Sequence, residues 1–255
     1  MTRHWPRPHE VVVRFVRTGS YEDPVSAPEA RQLLDAVERN QLNKIRHSSA
    51  RRDYLAAHTL ARTTLAEFLG CQPDEISFGY SAHGRPELVS PKGAERLSFS
   101  IAHTHGMALC AFTTDGTVGA DVECLRNIGT DVLAVAEIVC SKRELEELRA
   151  LPEARRAEHF LKLWTLKEAM AKGTGHGLWL PFTGITIQWQ DGGPHGVEFA
   201  PEIMGDASRW RFALRCLASG HVIAAATCNK PGRDLAFSFE PGNLVPVGRV
   251  SVLTI

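Results

Sequence analysis

The sequence has no excess of charge of either sign: 29 lysines and arginines face 29 aspartates and glutamates in 255 residues. That balance argues against a dedicated nucleic-acid binder, which shows a strong basic excess. No apolar run approaches the roughly 20 residues that a membrane span needs, so neither nucleic acid nor membrane is expected as a partner. The six cysteines, Cys71, Cys110, Cys124, Cys140, Cys216 and Cys228, include no CxxC pair, which removes zinc-ribbon and thioredoxin readings. There is no GxSxG and no Walker loop. The glycines at 173, 175 and 177 do not form the dinucleotide fingerprint. No repeat of fixed period and no low-complexity stretch occurs. Residues 1–10 are charged and proline-broken, unlike a secretory leader. The cysteines are therefore expected to be reduced, mostly buried side chains of a cytoplasmic protein.

What is present is globular in kind. Hydrophobic residues make up 44% and charged residues 23%, close to average usage. The length suits one large domain or two small ones at roughly 150 residues each, and it can bury a core without disulfides or metal staples. β-Branched residues 11–16 predict a strand. Spacing predicts a helix over 28–46 and another from an N-cap at Ser49 to Leu69, closed by Gly70. Strands are expected at 75–80, 97–102, 107–113, 117–123, 183–190, 209–217 and 222–228. Helices are expected at 132–139, 142–151 and 153–172. Residues 81–91 read as a loop, Asp115-Gly116 as a hairpin turn, and 231–255 as an appended tail. Helices and strands interleave in two halves that meet near Val118.

Several residues could carry chemistry, and each also has a plain reading. Asp121 and Glu123 lie two apart in a strand and share a face. Burying them unpaired would be costly, so they need solvent, a basic partner or a cation; a solvated strand face would also satisfy them. Trp164, Glu168 and Lys172 recur every four residues on a helix and share a face. Alone they could be a surface ion pair beneath a packed Trp. The glycine-rich stretch 173–177 follows, a weak phosphate signal without a strand before it. His103 and His105 end a strand, with no third ligand at zinc spacing. Arg51 and Arg52 open a basic helix face that solvent alone could explain.

In chain order the pieces are Gly84-Arg85-Pro86, Ser100-Ile101-Ala102-His103-Thr104, Gly119-Ala120-Asp121-Val122-Glu123, and the segment from Trp164 to Leu178. The set resembles the 4'-phosphopantetheinyl transferases of the Sfp type. That family reads Gly-Lys-Pro, Ser-His-Ser, Gly-x-Asp-x-Glu and Trp-x-x-Lys-Glu-Ala-x-x-Lys-x-x-Gly-x-Gly. The last two motifs match at every fixed position, and the resemblance covers residues 84–178. It implies an α/β fold (α+β in other schemes) of two pseudo-symmetric subdomains, each a small sheet on a long helix, with the active site in the cleft between them. Residues 1–117 would form the N-terminal subdomain with the coenzyme A nucleotide contacts. Residues 118–230 would form the C-terminal subdomain with the magnesium site and phosphate lysines, and 231–255 an extension.

The implied reaction is Mg2+-dependent. Phosphopantetheine passes from coenzyme A to a serine of an apo acyl or peptidyl carrier protein, leaving 3',5'-ADP, and the enzyme acts as a monomer. Asp121, Glu123 and Glu168 would hold the metal. Magnesium is hard, prefers oxygen ligands, and is held by few carboxylates plus substrate phosphates. Lys172 and its neighbour Lys167 would meet the pyrophosphate as point charges. Arg85, His103 and Thr104 would bind the nucleotide end, with Arg51 or Arg52 beside them and Arg52 taken as the candidate. Glu123, acting through water, and Glu144 compete as the base that activates the serine, although Glu144 could equally be a solvent-facing helix residue. Ala102 departs from the usual serine, and one lost hydrogen bond of ~0.5–1.5 kcal/mol predicts weaker coenzyme A binding. A non-catalytic coenzyme A or carrier-binding module on the same fold is the alternative. A magnesium phosphoesterase that releases phosphopantetheine to water is a second one.

Overall fold

The computed structural model describes residues 5–19, 28–81, 84–129, 131–174, 180–229 and 235–242. β1 (Glu10–Arg17) alternates its faces. Val12 joins Leu60, Leu65 and Phe68 in one core, while Val11 and Val13 turn to the other side. The helix on that first face is α3 (Ser48–Leu69). It stops where Gly70 takes φ 69°, a left-handed cap open to glycine at no steric cost. The region expected as one helix is two, α1 (Pro28–Leu33) and α2 (Ala36–Lys44). They divide because Asp35 caps the second, accepting from the Glu38 amide while Glu38 accepts from the Asp35 amide. α3 begins after His47 and not at Ser49.

β2 (Ser77–Tyr80) and β3 (Pro86–Ser90) form a hairpin where a plain loop was expected. β4 (Ser98–Thr104) and β5 (Met107–Thr113) follow. β5 does not turn back on β6 (Thr117–Cys124) at Asp115-Gly116; the two strands belong to different sheets. After β6 come α4 (Val132–Val139), α5 (Lys142–Ala150) and α6 (Glu153–Thr174). The second two-stranded sheet is β7 (Ile185–Gln190) with β8 (Gly193–Phe199), a strand missed in the sequence because its Gly-Pro-His-Gly start lacks β-branched residues. β9 (Trp210–Cys216) and β10 (His221–Cys228) complete the second sheet. Part of the expected tail is β11 (Ala236–Pro241), which pairs in parallel with β1. The rest of that segment, 231–234 and 243–255, and residues 175–179 with Gly175, His176, Gly177 and Leu178, lie outside the described residues.

The main sheets run β11-β1-β5-β4 and β6-β10-β9. α3 covers the first and α6 the second. Their other faces pack on each other through Val11, Val13, Leu109, Ala111, Val118, Val122 and Ile223. At the seam, the Ser98 and Ser100 hydroxyls of β4 each accept a β6 amide, from Val118 and Ala120, at 3.1 Å. Each long helix is tied down by a buried Lys or Arg paired with a glutamate. Arg62 of α3 meets Glu38 at 2.5 Å, and Lys167 of α6 meets Glu144 at 2.5 Å.

Candidate active site

The seam between β4 and β6 and the cleft-facing side of α6 bring together most of the acidic candidates. Val118, Ala120 and Val122 of β6 enter the inter-sheet core. Alternation therefore sends Gly119, Asp121 and Glu123 toward α6. A Cβ on Gly119 would run into the Ala169 carbonyl oxygen and the Gly173 amide. The glycine of Gly-x-Asp-x-Glu thus permits the helix to lie against the strand, backbone to backbone.

That approach sets the ionic contacts. Lys172 Nζ donates to Asp121 Oδ1 at 2.7 Å, while Asp121 Oδ2 is buried with no hydrogen-bond partner. Glu123 bridges the two halves: Trp164 Nε1 donates to its Oε1 at 3.4 Å and Thr104 Oγ1 to its Oε2 at 3.3 Å. Thr104 in turn accepts from Asn127 Nδ2 at 3.2 Å. Burial raises the Glu168 carboxyl to about 6; Asp121 and Glu123 add to the rise and Lys172 opposes it. Burial and Asp121 raise Glu123 as well. The cluster carries more negative charge than its one lysine offsets.

Among the described residues no three His, Cys, Asp or Glu side chains stand close enough to hold a metal ion as they are. The donor set nevertheless fits a hard cation. It is all oxygen, it includes a buried carboxylate oxygen without a partner, and its carboxyls are raised by burial first and by one another second, both of which a cation would offset. Asp121, Glu123 and Glu168 are the residues that could hold one.

The other candidates fall in three places. His103 lies at the end of β4 on the α3 side of the strand, edge-on to Tyr54 at 6.0 Å. Crowding by the protein, with His58 and Lys172, holds its imidazole down to about 4, so it is neutral at neutral pH. Arg52 stands one turn into α3, next to Asp53, which accepts from the Gly106 amide of the β4–β5 turn at 3.3 Å. Arg85 is spread over protein acceptors: Nη1 donates to Gly173 O at 3.2 Å, and Nη2 to Ser98 Oγ, Phe99 O and Val118 O at 3.0, 3.4 and 3.2 Å. It bolts the hairpin side to the end of α6, a role its motif did not signal. Lys167 and Glu144 are not in the cleft at all. Both are fully buried against each other, so a pyrophosphate contact and a base role are expectations that place these side chains where the structure does not have them. Ala102 is buried in the inter-sheet core, which puts the missing hydroxyl away from the cleft.

A cavity of about 240 Å³ opens beside Glu123, walled by Trp164, Phe160, Leu161, Val132, Val135 and Ile128. The sequence spacing showed Trp164 beneath Glu168. It gave no sign that the indole reaches Glu123 or that Thr104 does so from the other half.

A family model described as the 4'-phosphopantetheinyl transferase superfamily matches residues 117–226. An L-aminoadipate-semialdehyde dehydrogenase-phosphopantetheinyl transferase of Eremothecium gossypii is 33% identical over 227 residues, 84% of this chain and 77% of that one. The chain belongs to the 4'-phosphopantetheinyl transferase superfamily. Two further relatives in this superfamily are the 4'-phosphopantetheinyl transferase HetI of Nostoc sp., 29% identical over 68% of this chain and 75% of its own length, and Sfp of Bacillus subtilis, 26% identical over 71% and 79%. The superfamily match begins at β6 and ends in β10. It therefore contains Asp121, Glu123, Glu168 and Lys172, and leaves Arg52, Arg85, His103 and Thr104 outside.

Proposed function

We propose that this chain transfers 4'-phosphopantetheine from coenzyme A to a serine hydroxyl of an apo acyl or peptidyl carrier protein, giving holo carrier protein and 3',5'-ADP. Superfamily membership supports the reaction class. The observation that carries the assignment to residues is the convergence of Asp121, Glu123, Glu168 and Lys172 at one seam, with more carboxylate than local cation. In the reaction the serine Oγ attacks the phosphorus that bears the pantetheine, the bond from that phosphorus to the bridging pyrophosphate oxygen breaks, and 3',5'-ADP leaves with the electron pair.

Asp121, Glu123 and Glu168 are the proposed Mg2+ ligands. The ion, when bound, supplies charge neutralisation on the pyrophosphate and stabilises the leaving group. Lys172, paired with Asp121 at the same seam, would offer those phosphates a compact cation. Glu123 is the proposed acceptor of the serine proton, since Trp164 and Thr104 hold its carboxylate at the cleft. His103, Thr104 and Arg52 flank the end of β4 and are the proposed coenzyme A nucleotide contacts. The apolar cavity beside Glu123 suits the pantetheine arm or a carrier surface. We place residues 1–117 and 118–230 as the two subdomains, with β11 returning to the first. A cytoplasmic location is supported by six free cysteines, and action as a monomer is part of the proposal. No helix among the described residues is long and apolar enough to cross a membrane.

The test is intact-mass spectrometry of apo acyl and peptidyl carrier proteins incubated with the chain, coenzyme A and magnesium. A magnesium-dependent gain of one phosphopantetheine supports the proposal. Retained coenzyme A without any gain would favour a binding module, and phosphopantetheine released to water a phosphoesterase.

A further inference from the structure

We infer that Lys167 and Glu144 form a positioning clamp that aims the cleft face of α6, and that neither touches substrate. The pair is saturated. Lys167 Nζ donates to Glu144 Oε2 at 2.5 Å and to the carbonyls of Val139 and Phe182 at 2.9 Å each. An ammonium has three donors, so none is left for a phosphate. Glu144 Oε2 also accepts the Ser141 amide and Oε1 the Ile187 amide, both at 2.8 Å. A serine proton has no route to either oxygen. The contacts tie α6 to the end of α4, the start of α5 and the approach to β7. Lys167 precedes Glu168, and consecutive helix residues diverge by about 100°. Pinning Lys167 inward therefore turns Glu168 sideways, toward Asp121, with Lys172 one turn on.

The molecule contains its own control. Lys167 is the fifteenth residue of α6 and Arg62 the fifteenth of α3. Each meets a glutamate three residues past the N-cap of a short preceding helix, Glu144 after Ser141 and Glu38 after Asp35, and both glutamates complete a capping box. Arg62 is equally saturated, donating to Glu38, Asp35 and the carbonyls of Pro73 and Ile76. At the helix residue that follows, α3 carries Thr63 where α6 carries Glu168. The same anchor thus recurs under a helix with no acid at the matched position, as expected of a device that sets helix orientation.

The experiment rests on the transferase reading and compares wild type with K167M, E144Q and the apolar pair E144L/K167M. Melting temperature, Mn2+ binding by electron paramagnetic resonance, and kcat, KM for coenzyme A and magnesium half-saturation in the carrier assay are the readouts. Breaking one partner strands a buried charge, whereas an apolar pair is tolerated. K167M should lose more than about tenfold in kcat and need more metal, at unchanged KM for coenzyme A. The double variant should regain melting temperature, metal half-saturation and most of the kcat. A KM that rises in both K167M and the double variant would mean that Lys167 contacts coenzyme A. Loss of transfer in E144Q and in the double variant, at unchanged metal half-saturation, would make Glu144 the base. A folded K167M with wild-type kcat and metal dependence would reduce the pair to stability alone. Any of these three overturns the clamp. An inactive wild type would instead sink the transferase reading, and the clamp would then be judged by Mn2+ binding and melting.

Discussion

The unit of β1 and α3 and the unit of β6 and α6 are built alike and charged differently. Both strands have 8 residues and both helices 22. In each, the fifth strand residue meets the twentieth helix residue: Arg14 with Glu67 at 2.5 Å, and Asp121 with Lys172 at 2.7 Å. The contact is kept and its sign reversed. At the seventh strand and sixteenth helix positions the first unit has Val16 and Thr63, and the second has Glu123 and Glu168. At the third strand position Val12 packs on α3, whereas Gly119 admits the backbone of α6. A common frame, two added carboxylates and one glycine separate a half that holds itself together from a half with uncompensated negative charge.

The sharpest way to break this comparison is to remove acids from each unit in turn. Asp121→Ala and Glu168→Ala should each lower holo-carrier formation by more than about 100-fold with the fold intact by circular dichroism. Glu67→Ala should leave it within about threefold, because an exposed surface pair contributes little. Substantial transfer by either first variant would detach the chemistry from the acids of the second unit.

Gly119→Ala should come next, with a loss of at least about tenfold, because α6 must move off β6 and carry Glu168 and Lys172 with it. Val12→Ala, at the matched position, should cost stability as a cavity does, about 1–3 kcal/mol by urea unfolding, and leave the KM for coenzyme A unchanged.

A smaller effect separates stability from function. Glu168 has a raised pKa of about 6 in the fold, so the metal-free folded state takes up its proton more readily than the unfolded chain does. Its contribution is therefore most favourable below the unfolded pKa and is lost as pH rises through about 6. Glu168→Gln should raise the melting temperature of metal-free protein by about 2–4 °C at pH 7, with the advantage shrinking toward pH 5. A lower melting temperature at pH 7 would contradict the burial and crowding that raise this carboxyl.

The smallest effect expected is that of Ala102→Ser. The side chain lies in the inter-sheet core, so a hydroxyl there should leave the coenzyme A dissociation constant within about twofold by calorimetry. Its cost should be of the order of 1 kcal/mol in stability. Tighter binding would restore the expectation drawn from the motif.

Much of this architecture was legible in the letters. Periodicity marked β1, β5, β10, α4 and α6 because each has a clear strand or helix period and a recognisable end. The acids were legible as a motif, since Asp121 and Glu123 share a face by strand geometry alone. What the letters hid depends on partners far along the chain. Glu144 and Lys167 lie 23 residues apart, and nothing local distinguishes this buried pair from surface charges in a helix rich in glutamate. β11 was hidden because its pairing with β1 is set by the return of the chain and not by its own six residues. The correspondence between the halves was invisible for a related reason: the matched positions conserve contacts, not residue types, so Arg14 and Asp121 play one part with opposite charges.

The most direct test of the central claim is Mn2+ binding, used as a probe of the magnesium site, followed by electron paramagnetic resonance in the presence of coenzyme A. Wild type, Glu67→Gln and Asp121→Asn would be titrated side by side. One ion bound by wild type and by Glu67→Gln, and lost or greatly weakened in Asp121→Asn, is the result the account predicts. Equal binding by all three proteins, or none by wild type, would contradict it.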